Sequence, residues 1–317
     1  MTKYIFQRII ALVLTLFIII SIAFLVVRLM PGSVYGEDAE VSPAVLEALN
    51  HKYHFDEPLV VQYGYFLKNL AVWDWGTSLA LQPGVPVYDI VKERIPVTLR
   101  INMVALLIAI PIGIVFGTLA AIKKNTVVDY IISLMIVIFI SVPSFVSASI
   151  LQYFVAYKLD LLPVIYSTDV VGVLGNLKCV MLPMIALALS PIARVARYLR
   201  AELGEIMNSD YLLLARTKGL TYRQSIVRHG MRNSFIPLVN IIMPMFTTMI
   251  GGSLVIENIF AIPGMGGLMI DSINSSDHYV TVAVLVFYSF MFLITMLITD
   301  ISYSLIDPRI KVGGGKR

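Results

Sequence analysis

The residue types that do chemistry are few in this chain of 317 residues, and their spacing is wrong for catalysis. His51, His54, His229 and His278 are scattered and fall mostly in expected loops. His51 and His54 stand three apart and could share a helix face, but two ligands do not make a metal site. They read as solvated loop histidines. Cys179 is the single cysteine, which excludes a disulfide framework or a thiolate metal site made by this chain alone. No G-x-x-x-x-G-K-[ST] and no H-E-x-x-H is present, so the chain lacks a P-loop for ATP and a zincin pair. The cluster Pro263-Gly264-Met265-Gly266-Gly267 has neither the strand nor the spacing of a dinucleotide fingerprint. The expectation is a chain that is not an enzyme and carries no cofactor or metal of its own.

The most informative stretch binds rather than reacts: Ser209-Asp210-Tyr211-Leu212-Leu213-Leu214-Ala215-Arg216-Thr217-Lys218-Gly219. It predicts a short helix. Ser209 or Asp210 can cap it by accepting an N–H. Tyr211 to Ala215 offer apolar surface, Arg216 and Lys218 suit the negative end of the helix dipole, and Gly219 can take the left-handed conformation that stops it. Thr221 and Gln224 then stand at capping-box spacing and open a second helix carrying Arg223, Arg228 and Arg232. The pair reads either as an amphipathic linker resting on lipid headgroups or as a rigid docking element. Two closely capped helices favour docking of a partner protein, because exposed apolar surface of this kind is normally covered.

The elements that must position this knuckle are membrane spans. Apolar residues make up 58% of the chain and charged residues 14%, against about 25% charged in a soluble domain. A helix crosses a bilayer in about 20 mainly apolar residues. Six stretches qualify: 9–30, 99–122, 130–157, 178–199, 235–257 and 280–306. The fourth has a short apolar part, Val180 to Ile192, and ends in Arg194, Arg197 and Arg200, one turn apart, which can snorkel toward headgroups. Lys3 and Arg8 before an apolar run also suit a cleaved signal peptide. Ile9 to Val27 is too long for that, and no A-x-A-like site follows, so the segment reads as an uncleaved anchor.

Most Lys and Arg fall in the N-terminus, the second-to-third loop, the fourth-to-fifth region and the C-terminus. This bias places both termini and the basic loop in the cytoplasm. It also explains the net charge of +4 without nucleic acid. Three pieces fall outside: 31–98, 158–177 and 258–279. The first is expected to be a small helical cap, with helices near Val41–Asn50 and Pro58–Leu70. The glycine cluster at 263–267 reads equally as a tight turn or as a loop dipping into a pathway.

Pro111, Pro143, Pro183, Pro191, Pro237 and Pro244 lie within spans and tend to kink them. They fit bent helices around a cavity, or the ordinary enrichment of proline in membrane helices. Asp300 and Glu257 are the ionisable candidates, both expected near interfaces in structural pairs. No buried chain of acids suggests an ion-coupled transporter, and the histidines lie outside the spans that a membrane hydrolase would need.

In order along the chain stand Arg28-Leu29-Met30-Pro31-Gly32, His54-Phe55-Asp56-Glu57-Pro58-Leu59 with Gln62-Tyr63, Trp75-Gly76-Thr77-Ser78 and Arg94-Ile95-Pro96-Val97-Thr98-Leu99. They are followed by Asp210-Tyr211, Ala215-Arg216-Thr217-Lys218-Gly219-Leu220, Arg228-His229 with Arg232-Asn233, Ile262-Pro263-Gly264-Met265-Gly266 and Asp307-Pro308-Arg309. Together they resemble the permease subunits of oligopeptide and dipeptide ABC importers, the OppB/DppB-like group, from end to end. The general EAA text of ABC importers is met by Ala215 and Gly219. Leu213 and Leu214 replace its Glu and Ala, Thr217 replaces an alanine, and His229-Gly230-Met231-Arg232 stands where others have I-x-L-P. The peptide group shares these departures.

The resemblance implies an all-α integral membrane protein with six transmembrane helices, the type I importer permease fold, and a small extracytoplasmic insertion. Residues 1–30 would be an anchor, 31–98 a cap, 99–306 a five-helix core containing the coupling loop 203–234, and 307–317 a cytoplasmic tail. It implies residence in the bacterial cytoplasmic membrane, a second related permease, two ATP-binding subunits holding Mg-ATP, and an extracytoplasmic peptide-binding protein. Coupling is expected at Tyr211, Leu214, Ala215, Arg216, Lys218, Gly219, Leu220 and Arg228. Receptor or substrate contact is expected at Trp73, Trp75, Glu257, Gly264 and Met265. Nickel complexes, glutathione or oligosaccharides are the alternative cargo.

Overall fold

The computed structural model describes residues 2–30, 35, 43–167 and 173–306. Pro31-Gly32, the first residues of the helix expected from Val41, Asp307-Pro308-Arg309 and the tail 307–317 lie outside the described residues. Twelve α-helices follow in order: α1 Thr2–Leu29, α2 Pro43–Lys52, α3 Leu59–Ala71, α4 Val87–Ile122, α5 Val127–Ser141, α6 Ser144–Leu151, α7 Val173–Ile206, α8 Asp210–Thr217, α9 Tyr222–Ser225, α10 Met231–Ile259, α11 Met265–Asn274 and α12 His278–Ile306. Two π-helical turns, Gln152–Lys158 and Ile226–Gly230, continue α6 and join α9 to α10. The β pairing among the described residues is one isolated bridge, Thr77 to Pro86.

Among the described residues four helices are long and apolar enough to cross a bilayer: Ile5–Leu29, Val87–Ile122, Leu177–Ile206 and His278–Ser302. The expected third span, 130–157, is not one straight helix. It breaks between Ser141 and Ser144 with a bend of 105°, and counts as a fifth span if the pair crosses together. Pro143 is the cause. It lacks the N–H that would continue the ladder and pushes the residue before it out of helical space, so Val142 is extended at φ −84°, ψ 121°. In the expected fifth span, α10 is 29 residues long with Pro237 and Pro244 inside it, and its apolar stretch among the described residues is Pro237–Phe246.

The chain forms two compact units. One comprises Met1–Ile9, Thr98–Ile262 and Met291–Arg317. Its core is built where α4 and α7 meet through small residues. A Cβ on Gly113 would lie 2.7 Å from Val195 Cβ, and one on Gly117 would lie 2.8 Å from the Ala196 carbonyl oxygen. Glycines four apart let helix backbones approach where no side chain fits. Ala120, Ile132, Ile136, Ala193 and Ala196 extend this packing to α5. Two ion pairs brace the same unit. Arg8 Nε lies 2.5 Å from Asp300 Oδ2, the structural pairing expected for that acid. Arg200, expected to snorkel, instead grips Asp129. Arg194 and Arg197 are exposed.

The other unit comprises Ile10–Val97 and Pro263–Phe290. Val87, Ile90, Met265, Leu268, Val280, Ala283 and Val284 form its core. Asp277 organises its polar side. One carboxylate oxygen caps α12 by accepting the Val280 N–H at 3.2 Å. The other accepts the Ser78 hydroxyl at 2.5 Å and the N–H groups of Leu79, Ala80 and Leu81 at 3.1 Å each. A carboxylate holding this many donors fixes a loop far along the chain to the start of a helix.

Candidate functional site

The knuckle at 209–230 forms with its ends closed largely as the residue types dictate. Ser209 occupies the cap position in extended conformation, but its hydroxyl donates back to the Ile206 carbonyl at 2.6 Å instead of accepting an N–H. The expected side-chain cap on α8 is therefore absent. At the other end Gly219 has φ +93°. Its N–H reaches the Arg216 carbonyl at 3.0 Å, and the Leu220 N–H reaches Ala215 at 3.4 Å. This is the paired closure that a left-handed glycine allows. The Thr221 hydroxyl accepts the Gln224 N–H at 3.4 Å and the Gln224 side chain accepts the Thr221 N–H at 3.0 Å, so the capping box forms. The second helix differs from expectation in length. After one turn of α9 it runs through the π-turn into α10, so Arg223 lies in α9, Arg228 in the π-turn and Arg232 in the first turn of the long α10, and not on one separate helix.

Burial divides the apolar residues of α8 into two faces. Leu212 and Ala215, three apart and on one side, are 1% and 7% exposed. Leu212 packs with Ala121, Leu199, Leu203 and Ile226, anchoring the knuckle to α4 and α7. Tyr211, Leu213 and Leu214 face outward at 43%, 57% and 55%. Ala215 is thus part of the anchor, not of the outward face where it was expected. Leu220 is half-buried, and Arg216, Lys218, Gly219 and Arg228 are exposed. The Tyr211 hydroxyl meets His229 Nδ1 at 3.2 Å, and Arg216 lies 5.6 Å from the centroid of the Tyr222 ring. A Cβ on Gly230 would meet Leu203 Cδ1 at 3.1 Å, so a small residue there lets the π-turn sit close to α7. The outcome is a rigid apolar tip ringed by cations.

The second group of expected contacts is not brought together as a surface. Trp73 is exposed at 68% and Trp75, half-buried, meets it edge-on at 5.5 Å. Glu257 is fully buried, two residues before the end of α10. Gly264 and Met265 are buried as well. The glycine cluster is neither a turn nor a dipping loop: Gly264 precedes α11, and the following residues form its first turn. Its glycines are not among the positive-φ glycines of the described residues, Gly76, Gly84 and Gly219. Met265 is drawn inward because it fills the core beside Val87 and Leu268.

Residues 113–312 match the family described as "Binding-protein-dependent transport system inner membrane component", and residues 1–102 match the N-terminal region of the same membrane components. The chain belongs to this family. It is 35% identical to the dipeptide transport system permease protein DppB of Bacillus subtilis (strain 168) over 312 residues, covering 98% of this chain and 99% of that protein. It is also 35% identical to the oligopeptide transport system permease protein OppB of Salmonella typhimurium (strain LT2) over 311 residues, covering 98% and 100%. Among solved structures, an inward-facing MetNI methionine ABC transporter chain superposes with TM-score 0.55 at 17% identity, covering 69% of this chain and 96% of that one. This likeness shows the fold alone. As a membrane component of a transport system, the chain is not itself an enzyme. The sequence reading missed the Asp129–Arg200 pair and the Gly113–Gly117 contact. The glycines carried a small-x-x-x-small signal that could have been read. The ion pair joins residues 71 apart and carried none.

Proposed function

We propose that this chain is a permease subunit of an ATP-driven importer of dipeptides or oligopeptides. The observation that carries this reading is the outward face of α8, Tyr211, Leu213 and Leu214, held on a knuckle closed at Gly219 and by the Thr221–Gln224 box. A chain with no ATP site needs such a surface to receive force from a neighbouring motor. The names of its relatives support peptides as the cargo.

In this reading two ATP-binding subunits holding Mg-ATP receive the knuckle on the cytoplasmic side, together with the positive rim of Arg216, Lys218 and Arg228. A second, related permease completes the pathway. With α10 and the bent α5–α6 pair each taken as a span, six crossings leave both termini on one side, and the Lys/Arg bias supports the bacterial cytoplasm as that side. The cap at 31–98 then lies outside, with Trp73 and Trp75 available to a peptide-binding protein. ATP binding biases the permease pair between outward- and inward-open states because the motor has different affinity for the two.

The test is uptake of a labelled dipeptide by cells, combined with co-purification of the ATP-binding subunits. Leu214→Asp is expected to abolish both while the chain still reaches the membrane. Uptake at the unmodified rate would sink the proposal.

A further inference from the structure

One cavity of about 320 Å³ is lined wholly by residues of the second unit. It has room for roughly ten waters. Its cations are Arg28, Lys52 and Lys68, and its acid is Asp74. Its apolar lining includes Phe24, Val27, Phe66, Trp75, Val282 and Ala283. Lys52, Lys68 and Asp74 are exposed at the rim, and Arg28 is half-buried. Among the described residues Arg28 makes no ion pair. Its guanidinium lies 4.1 Å from the Phe55 ring centroid and 5.7 Å from that of Phe24, and it hydrogen-bonds the Tyr279 side chain in the cavity wall. A guanidinium has five N–H donors, so ring contacts and one bond to a tyrosine leave donors for a planar anion.

Two further groups in the cavity wall lack partners. His278 is 8% exposed and its Nδ1 has no hydrogen bond. Gln62 uses its Nε2 on the carbonyls of Glu57 and Phe55 at 2.8 and 3.3 Å, which fixes the amide orientation and leaves Oε1 buried without a donor. Buried polar atoms are seldom left unmade, and each exception calls for an explanation. A phosphate ester offers acceptors to the cations but no N–H to Gln62. A peptide end offers a carboxylate and, on the same residue, an amide N–H, with a side chain for the apolar wall.

We propose that this cavity binds the C-terminal end of a short peptide, its carboxylate at Arg28 with Lys52 and Lys68 above and its apolar side chain against Phe24, Phe66 and Trp75. The ligand class rests on the peptide reading above; the site does not depend on the knuckle.

Trp73 and Trp75 are the two tryptophans of the chain, so intrinsic fluorescence reports on this cavity. The experiment places the full chain in phosphatidylcholine nanodiscs and titrates it with Ala-Phe, with Ala-Phe amide, and in separate discs with phosphatidylglycerol. A saturable change with Ala-Phe is expected, weakened about tenfold or more by amidation and by Arg28→Gln, with Arg28→Lys retaining part of it. Lys68→Gln, at an exposed position, is expected to weaken binding a few-fold and guards against a folding defect in the arginine variant. Equal response to acid and amide, wild-type affinity in Arg28→Gln, or no saturable change overturns the proposal. A response to phosphatidylglycerol but not to peptide assigns the cavity to a lipid headgroup and overturns it too. If peptide binding is absent while Leu214→Asp still abolishes uptake, this site falls and the importer reading stands.

Discussion

Arg200 holds Asp129 by two parallel bonds, Nε to Oδ1 at 2.6 Å and Nη2 to Oδ2 at 3.0 Å. The pair ties α7 to the first turn of α5. The aspartate side chain is 1% exposed while the arginine keeps 38% of its surface. Asp129 also accepts the Asn125 N–H at 2.9 Å. The acid therefore closes the turn before α5 as well as the helix pair.

Arg200→Gln leaves a buried carboxylate without its counter-charge. Breaking such a pair from one side costs about 3–5 kcal/mol when both partners are buried, and the exposed guanidinium lowers the expectation to about 2 kcal/mol. Thermal unfolding in detergent should show Arg200→Gln less stable than the parent. The double variant Asp129→Asn, Arg200→Gln should lose less than the sum of the singles. Additive losses would mean that the pair is not coupled.

Leu214→Asp and Leu212→Asp separate surface from anchor. Leu214 is outward, so its change should alter stability by less than about 0.5 kcal/mol and still remove the ATP-binding subunits from the purified complex. Leu212 is buried against Leu199 and Leu203, so its change should lower the melting temperature and expose the knuckle to protease. Similar behaviour of the two variants would contradict the division of faces.

Gly219→Ala places a side chain at φ +93°, a left-handed conformation that costs an L-residue about 1–2 kcal/mol. No atom lies within 4 Å of the added Cβ, so the effect should be conformational and not steric. Hydrogen exchange is expected to rise in 210–220 while the rest of the chain is unchanged, and uptake should fall with it.

Gly117→Val tests the close approach of α4 and α7. The first added carbon would already lie 2.8 Å from the Ala196 carbonyl oxygen, and overpacking typically costs about 1–3 kcal/mol. A drop in melting temperature is expected. A variant as stable as the parent would show that the helices separate freely.

Asp277→Ala removes the acceptor shared by Ser78, Leu79, Ala80, Leu81 and Val280. Stranded buried donors cost about 1–3 kcal/mol each. Hydrogen exchange should rise at 78–81 and in the first turn of α12, and not in α8. Uniform protection across these segments would refute the anchoring role.

Several features were legible in the residues because they are local. The run of apolar residues dictates membrane residence wherever it folds, since an unpaired backbone is not tolerated in hydrocarbon. Gly219 and the Thr221–Gln224 pair close their helices through bonds spanning a few residues. Pro143 marked a disruption, but the 105° bend needed the whole chain.

What only the tertiary structure decided was direction. Tyr211 to Ala215 read as one apolar surface, yet packing against Leu199, Leu203 and Ile226 turns Leu212 inward and leaves Leu213 and Leu214 outside. Glu257 and Met265 read as contact residues and are fully buried. Arg200 read as a lipid-facing cation and found an acid 71 residues away. Residue type and spacing set the helix ends through neighbours in the chain. Which face is covered depends on segments far apart in sequence, and that information appears only when they pack.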